Sequence, residues 1–368
     1  MAKSREKRNS SLELLRIMGM FSIIIFHYAY HGGFNFNANE GNIVIIWVLT
    51  IGGKLACDIF ILITGYFLIE SKMNYTKLIK LGVKFSVISL ILFLVAYIFR
   101  IFPLGISDIA QSFCPLIFGN WFIVYYLLIC FFSPYINILL KKLDRKQLLE
   151  LCFLIIVIWS FIPTFSRYFY NFGNFDTFLT MYIIGAYMRR FEGEKILTKK
   201  ENIKNLCIGI MFLLIIVLLT ILVYICKFGI GGILIEKELY SYFSKINSIF
   251  VVLTAIYIFK FFKNMNFYCK SINYIASSTL GVYLLYDNYC IRKYIWRVIS
   301  PNINYLESDF LIVHALVKCI MVFVVCVIID KIVEFILRRT LYKCVDNYKW
   351  NFDKIKEKFF RLTEKLLG

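Results

Sequence analysis

Residues 205–226 read NLCIGIMFLLIIVLLTILVYIC, twenty-two positions without a charged side chain. As a helix rising 1.5 Å per residue this stretch is about 33 Å long. The hydrocarbon core of a bilayer is about 30 Å thick. A helix on the surface of a soluble protein keeps a polar face, whereas this one is apolar all round. The run is continuous rather than alternating, which argues against a strand of a membrane barrel. The reading is therefore a membrane-spanning helix.

Working outward, the pattern recurs. Ten segments have the length and composition of spanning helices: about 12–30, 43–69, 78–99, 121–140, 148–164, 175–189, 205–226, 243–259, 272–291 and 310–337. The composition of the whole chain agrees. Of 368 residues, 60% are hydrophobic and 18% charged, with 37 Phe and 25 Tyr; soluble domains are nearer half apolar and a quarter charged. Disordered chains lack such aromatic content. The expected fold class is an all-α membrane protein, a polytopic bundle of about ten transmembrane helices.

The net charge is +19. Its distribution separates a nucleic-acid reading from a membrane one. With the N-terminal tail placed in the cytoplasm, 29 of the 42 Lys and Arg fall in segments on that side and 7 on the other. That bias predicts both termini inside and no nucleic-acid partner. The domain expectation is a membrane unit over 1–342 and a basic amphipathic tail over 343–368, lying on the inner membrane face or serving as a solvated orienting charge. The first apolar run contains Glu13, Arg16 and His27 and is followed by no small-residue cleavage site, so it is expected to stay in the mature protein. The eleven Cys form no CxxC or metal spacing, and no disulfide framework is expected.

Ionisable residues inside spanning helices are costly and mark functional candidates. The first helix holds Glu13, Arg16 and His27, with His31 just beyond. Arg16 and His27 are eleven residues apart, close to three turns, so they share a face at a separation of roughly 16 Å. Glu13 lies three residues before Arg16 and can pair with it. The second segment holds Lys54 and Asp58 at i, i+4, read as an internal pair, with Thr64-Gly65 allowing close helix approach. Further polar groups are Trp121 and Tyr125 at the start of the fourth segment and Tyr286-Asp287-Asn288 late in the ninth. In the tenth, Asp330 and Glu334 stand beside Lys331 and Arg338 and read as interfacial pairing.

These residues resemble a known family, the acyltransferase-3 family of integral-membrane O-acyltransferases. The resemblance rests on four blocks in order: LELLRIMGMFSIIIFHYAYHGG with Arg16, ten residues and His27; CDIFILITGYFL with Asp58, Thr64 and Gly65; NWFIVYYLLICFFSPYINILL with Ser133 and Pro134; and SSTLGVYLLYDN. Glu13 stands where the family often has Asp, and Thr64 where Ser is more usual. Tyr286 occupies a position where the family often has His, which passes that role to a phenol here.

The resemblance implies transfer of an acyl group, commonly acetyl from acetyl-CoA, to a hydroxyl of a cell-envelope glycan or lipid-linked sugar at a bacterial cytoplasmic membrane. It assigns Arg16, with Glu13, to the acyl-CoA donor and His27 to the base. Asp58 or Glu13 would orient these groups, Tyr286 or Asn288 would face the developing oxyanion, and Trp121, Tyr125, Asp287 and Asn288 would meet the acceptor. No metal is expected. The competing reading is a membrane carrier that moves a polysaccharide or small substrate without acyl transfer; a scaffolding role leaves the polar face of the first helix unexplained.

Overall fold

A computed structural model of the chain describes residues 9–71, 74–101, 105–166, 174–193, 197–229 and 239–348, together with Lys358, Arg361 and Glu364. Most of the expected tail over 343–368 lies outside the described residues. The described residues contain helices and connecting segments and no strand. In order the helices are α1 (Ser11–Tyr30), α2 (Ile43–Leu49), α3 (Ile51–Leu68), α4 (Tyr75–Ile98), α5 (Ile106–Phe113), α6 (Pro115–Phe118), α7 (Trp121–Lys142), α8 (Arg145–Ile156), α9 (Ile162–Phe165), α10 (Asn174–Glu192), α11 (Lys199–Gly229), α12 (Ile249–Lys263), α13 (Lys270–Ala276), α14 (Thr279–Tyr286), α15 (Tyr289–Arg297), α16 (Leu311–Arg339) and α17 (Leu341–Asn347). A π-helical turn, Val157–Phe161, joins α8 to α9.

Seven helices among the described residues are long and apolar enough to cross a membrane: α1, the α2–α3 run, α4, α7, the α8–α9 run, α11 and α16. The other three expected spans fall on α10, on the fifteen-residue α12, and on α13 to α15. The last of these departs most from the expectation. The sequence reads as one helix over 272–291, and the structure breaks it twice, at Ser277-Ser278 and at Asp287-Asn288. Ser, Asp and Asn compete for backbone partners and favour helix ends over helix interiors. Asn288 adopts an extended conformation, and its Oδ1 accepts from Cys290 N at 3.0 Å to cap α15.

The centre of the bundle is α1 and α3, with α10, α12, α14 and α16 packed around them. Close approach is built from glycine. A Cβ on Gly65 would run into the backbone of Tyr182, and one on Gly185 into the backbone of Leu62 and Tyr66. The two glycines thus let α3 and α10 cross at backbone contact, as expected at Thr64-Gly65. Pro134 sits inside α7. It cannot donate to the carbonyl of Cys130, and Ser133 Oγ donates to that oxygen instead, at 2.7 Å. All eleven cysteines are free thiols.

Candidate active site

The period of α1 sets the first part of the site. Arg16 donates from Nη1 to Glu13 Oε1 at 3.0 Å, as the three-residue spacing requires. His27 lies three turns further along, 8% exposed. His31 follows one turn later, and its ring centroid is 5.0 Å from that of His27.

The second part comes from the break between α14 and α15. Because the helix stops at Tyr286, Asp287 takes the C-cap position and its carboxylate turns toward α1. Asp287 Oδ1 lies 3.5 Å from His31 Nε2, 3.8 Å from His27 Nδ1 and 3.9 Å from Arg292 Nη1. Tyr286, fully buried, places its Oη 3.0 Å from His27 Nδ1. Tyr283, one turn earlier, stacks on the imidazole with centroids 6.2 Å apart and planes at 20°.

The third part is Asn120, the N-cap of α7. Its Oδ1 accepts from Phe122 N at 3.0 Å and from Tyr283 Oη at 2.6 Å, and its Nδ2 donates to Asp287 Oδ2 at 2.7 Å. A single amide therefore holds the outer oxygen of Asp287 and the phenol of Tyr283. The inner oxygen, Oδ1, is buried and has no hydrogen-bond donor among the described residues. It faces the two imidazoles.

The structure sorts the expected site residues. His27, Tyr286 and Asp287 come together. Arg16 and Glu13 pair with each other at the other end of the polar face. Asn288 caps α15, and its Nδ2 reaches Ser89 Oγ at 3.4 Å. Trp121 and Tyr125 pack on each other and on Phe178. Asp58 is fully buried, and neither carboxylate oxygen has a hydrogen-bond partner among the described residues. The expected Lys54–Asp58 contact is not made. Lys54 Nζ lies over the Trp121 ring, 4.2 Å from its centroid, the low-energy position for a desolvated ammonium beside an indole. The carboxylate beside His27 Nδ1 is that of Asp287, at 3.8 Å.

Three further residues of the constellation carry a signal in the sequence. His31 is one turn from His27, Asn120 directly precedes an aromatic helix as a cap residue would, and Arg292 is the first cation after Asp287.

A cleft of about 330 Å³ runs along the polar face from Arg16 to Tyr283, the residue that stacks on His27. Arg16, Thr64, Tyr126 and Ser277 line it at polar positions, Met20, Phe60 and Leu280 at apolar ones, and Tyr283 closes it toward His27. That volume is at the lower end for small-molecule sites. Beyond Tyr283 a second, much smaller pocket of about 20 Å³ is lined by Ser89, Gln111, Asn120, Asp287 and Asn288.

His27, His31 and Asp287 also form a group whose ligand atoms lie within 4.8 Å of one another, a donor set that suits a divalent cation. Arg292 puts a fixed positive charge beside the same carboxylate oxygen, and Tyr286 occupies His27 Nδ1. Both contacts compete with a cation there. The arrangement as it stands is an imidazole beside a carboxylate and a phenol, separated by Tyr283 from a cleft that Arg16 lines. Such a set can take a proton from a hydroxyl.

No curated protein and no solved structure shows significant similarity to the chain. The sequence model of one family, described as an acyltransferase domain, matches residues 9–331. The match spans α1 through most of α16 and so contains both His27 and Asp287. The chain belongs to the acyltransferase-3 family and is a multi-pass membrane acyltransferase.

Proposed function

We propose that the protein moves an acyl group, acetyl in the simplest case, from acyl-CoA to a hydroxyl of a cell-envelope glycan, with His27 as the general base. In this reading ten helices span the bacterial cytoplasmic membrane, both termini are cytoplasmic, and the Arg16 end of the cleft opens to the donor. The observation that carries it is the orientation of His27. His27 Nδ1 faces Tyr286 Oη and Asp287 Oδ1; in this reading Nδ1 carries the proton, and the Nε2 lone pair serves the acceptor hydroxyl. Carboxylate and phenol stabilise the imidazolium that forms.

The acceptor oxygen attacks the thioester carbonyl as His27 takes its proton. The carbon–sulfur bond breaks, and the thiolate leaves and takes up a proton. The cleft is mostly apolar, which suits the acyl-bearing arm of a donor. The guanidinium of Arg16 suits a phosphate. Tyr286 fills the late His position against His27, so the departure from His there does not favour the carrier reading.

The test is the O-acyl content of envelope glycans, by proton NMR, from cells with wild-type or His27→Ala protein at equal membrane levels. General-base removal costs about 10²–10⁴ in rate, so the ester signal should be present with wild type and lost in the variant. Equal ester signals would refute the role of His27. Equal spectra without ester, together with no turnover of labelled acetyl-CoA in membranes, would refute acyl transfer to glycan.

A further inference from the structure

A second cation that no motif marks, Lys331, is bound to Ser277 in the wall of the cleft that Arg16 lines. Arg16 is already matched by Glu13 at 3.0 Å, so the pair carries little net charge. A CoA donor brings a diphosphate and a 3′-phosphate, and one neutralised arginine does not balance them. Lys331 lies on α16, one residue from Asp330, yet it does not pair with it. Asp330 is turned to Lys84 at 2.6 Å, and Glu334, one turn on, is shared by Lys84 and Arg338. No carboxylate among the described residues lies within 4 Å of Lys331 Nζ.

Instead Lys331 reaches across to the break between α13 and α14. Its Nζ donates to Tyr274 O at 2.7 Å and to Ser277 Oγ at 2.6 Å, and it sits 3.9 Å from the Tyr274 ring centroid. Ser277 lines the same cleft as Arg16. An ammonium has three N–H donors, and two are used, so one remains.

The backbone adds to this. Helix α14 begins at the cleft, where Thr279 and Leu280 form part of the wall. The first-turn N–H groups of a helix lack intrahelical partners and favour anions. The N-cap residue, Ser278, is fully buried, and its hydroxyl has no hydrogen-bond partner among the described residues. Arg16, Ser277 and the start of α14 thus line one cleft, with Lys331 held against its wall through Ser277.

We propose that Lys331, held by Tyr274 and Ser277, is a phosphate-binding residue for the acyl-CoA donor, and that it supplies the charge which the Arg16–Glu13 pair lacks. This inference rests on the donor being acyl-CoA.

The experiment measures the affinity of purified full-length protein for CoA and for pantetheine, which has no phosphate, by calorimetry in lipid nanodiscs. Wild type should bind CoA more tightly than pantetheine. Lys331→Gln should weaken CoA binding roughly tenfold or more, the loss expected for one charge-assisted hydrogen bond. Pantetheine binding should stay unchanged, which also shows that the variant is folded. Lys331→Arg should recover most of the CoA affinity.

Equal CoA affinity in wild type and Lys331→Gln overturns the inference, as does an equal loss for CoA and pantetheine. Failure of wild type to bind CoA overturns it too. In that case the glycan ester signal from wild-type cells shows whether acyl transfer survives with a different donor.

Discussion

Replacing Asn120 by Ser isolates one link of the site. Asn120 does three things: it caps α7, accepts from Tyr283 Oη and donates to Asp287 Oδ2. Serine is a comparably good N-cap, so the start of α7 should survive. Its short hydroxyl cannot span to both Tyr283 and Asp287. The principal loss is a 2.7 Å hydrogen bond to a buried carboxylate, and bonds to charged groups contribute about 1.5–3 kcal/mol. With Oδ2 released, nothing holds Oδ1 against the imidazoles, and Arg292 at 3.9 Å is the nearest group to draw it away. If that energy is spent on orienting His27, it should appear in kcat at about tenfold per 1.4 kcal/mol. A fall of roughly ten- to a hundredfold is expected, with KM for the donor unchanged because Arg16 is at the far end of the cleft. The assay is transfer of labelled acetyl from acetyl-CoA in membranes, normalised to protein level. Wild-type kcat in a normally folded Asn120→Ser protein would refute the positioning of His27 through Asp287.

Two further substitutions probe the same architecture. Tyr286→Phe keeps the ring packing against Trp296 and removes only the oxygen at His27 Nδ1, so kcat should fall while the thermal midpoint stays near wild type; an unchanged kcat would show that the phenol is a packing group. Lys84→Met leaves Asp330, 1% exposed, without its 2.6 Å partner. Stranding one member of a buried pair costs about 3–5 kcal/mol, read as a lower thermal midpoint in detergent, and Lys84→Met with Asp330→Leu should recover much of it. A double variant no more stable than the single one would show that the pair is not the origin of the loss.

Contacts set by helical period were legible from the sequence, and contacts set by packing were not. The Glu13–Arg16 pair and the shared face of Arg16 and His27 follow from spacings of three and eleven on one helix. The glycine contact at Gly65 followed from composition alone. Asp287 met His27 only because α14 ends where it does, and the apolar run over 272–291 hid that break behind its hydropathy. Lys84, 246 positions before Asp330, gives no local signal of its partner. The same limit holds at Lys54: its i, i+4 neighbour is Asp58, while its ammonium lies over the Trp121 ring from α7. In each case the missing information is a tertiary contact, which no window along the chain contains.

Tyr283 has a part in the proposed reaction that neither pocket shows by itself. Its ring lines both the cleft that begins at Arg16 and the small polar pocket beside Asp287. Its hydroxyl is tied to Asn120 and its face stacks on His27. One side of the ring thus faces a cleft that Arg16 also lines, and the other a small pocket where Ser89, Asn120 and Asp287 stand among Phe85, Pro115 and Leu284. If the donor enters along the first side and the acceptor along the second, they meet at Tyr283, next to the imidazole. The small pocket has room for little more than one water, so an acceptor can present a single hydroxyl there while its remaining rings stay outside. Such a partition keeps bulk water away from a thioester that has reached the site, so the base meets the acceptor hydroxyl in preference to solvent. It also explains why the amide that aligns Asp287 is the one that holds Tyr283: a single side chain then fixes the base and the wall between the two substrates.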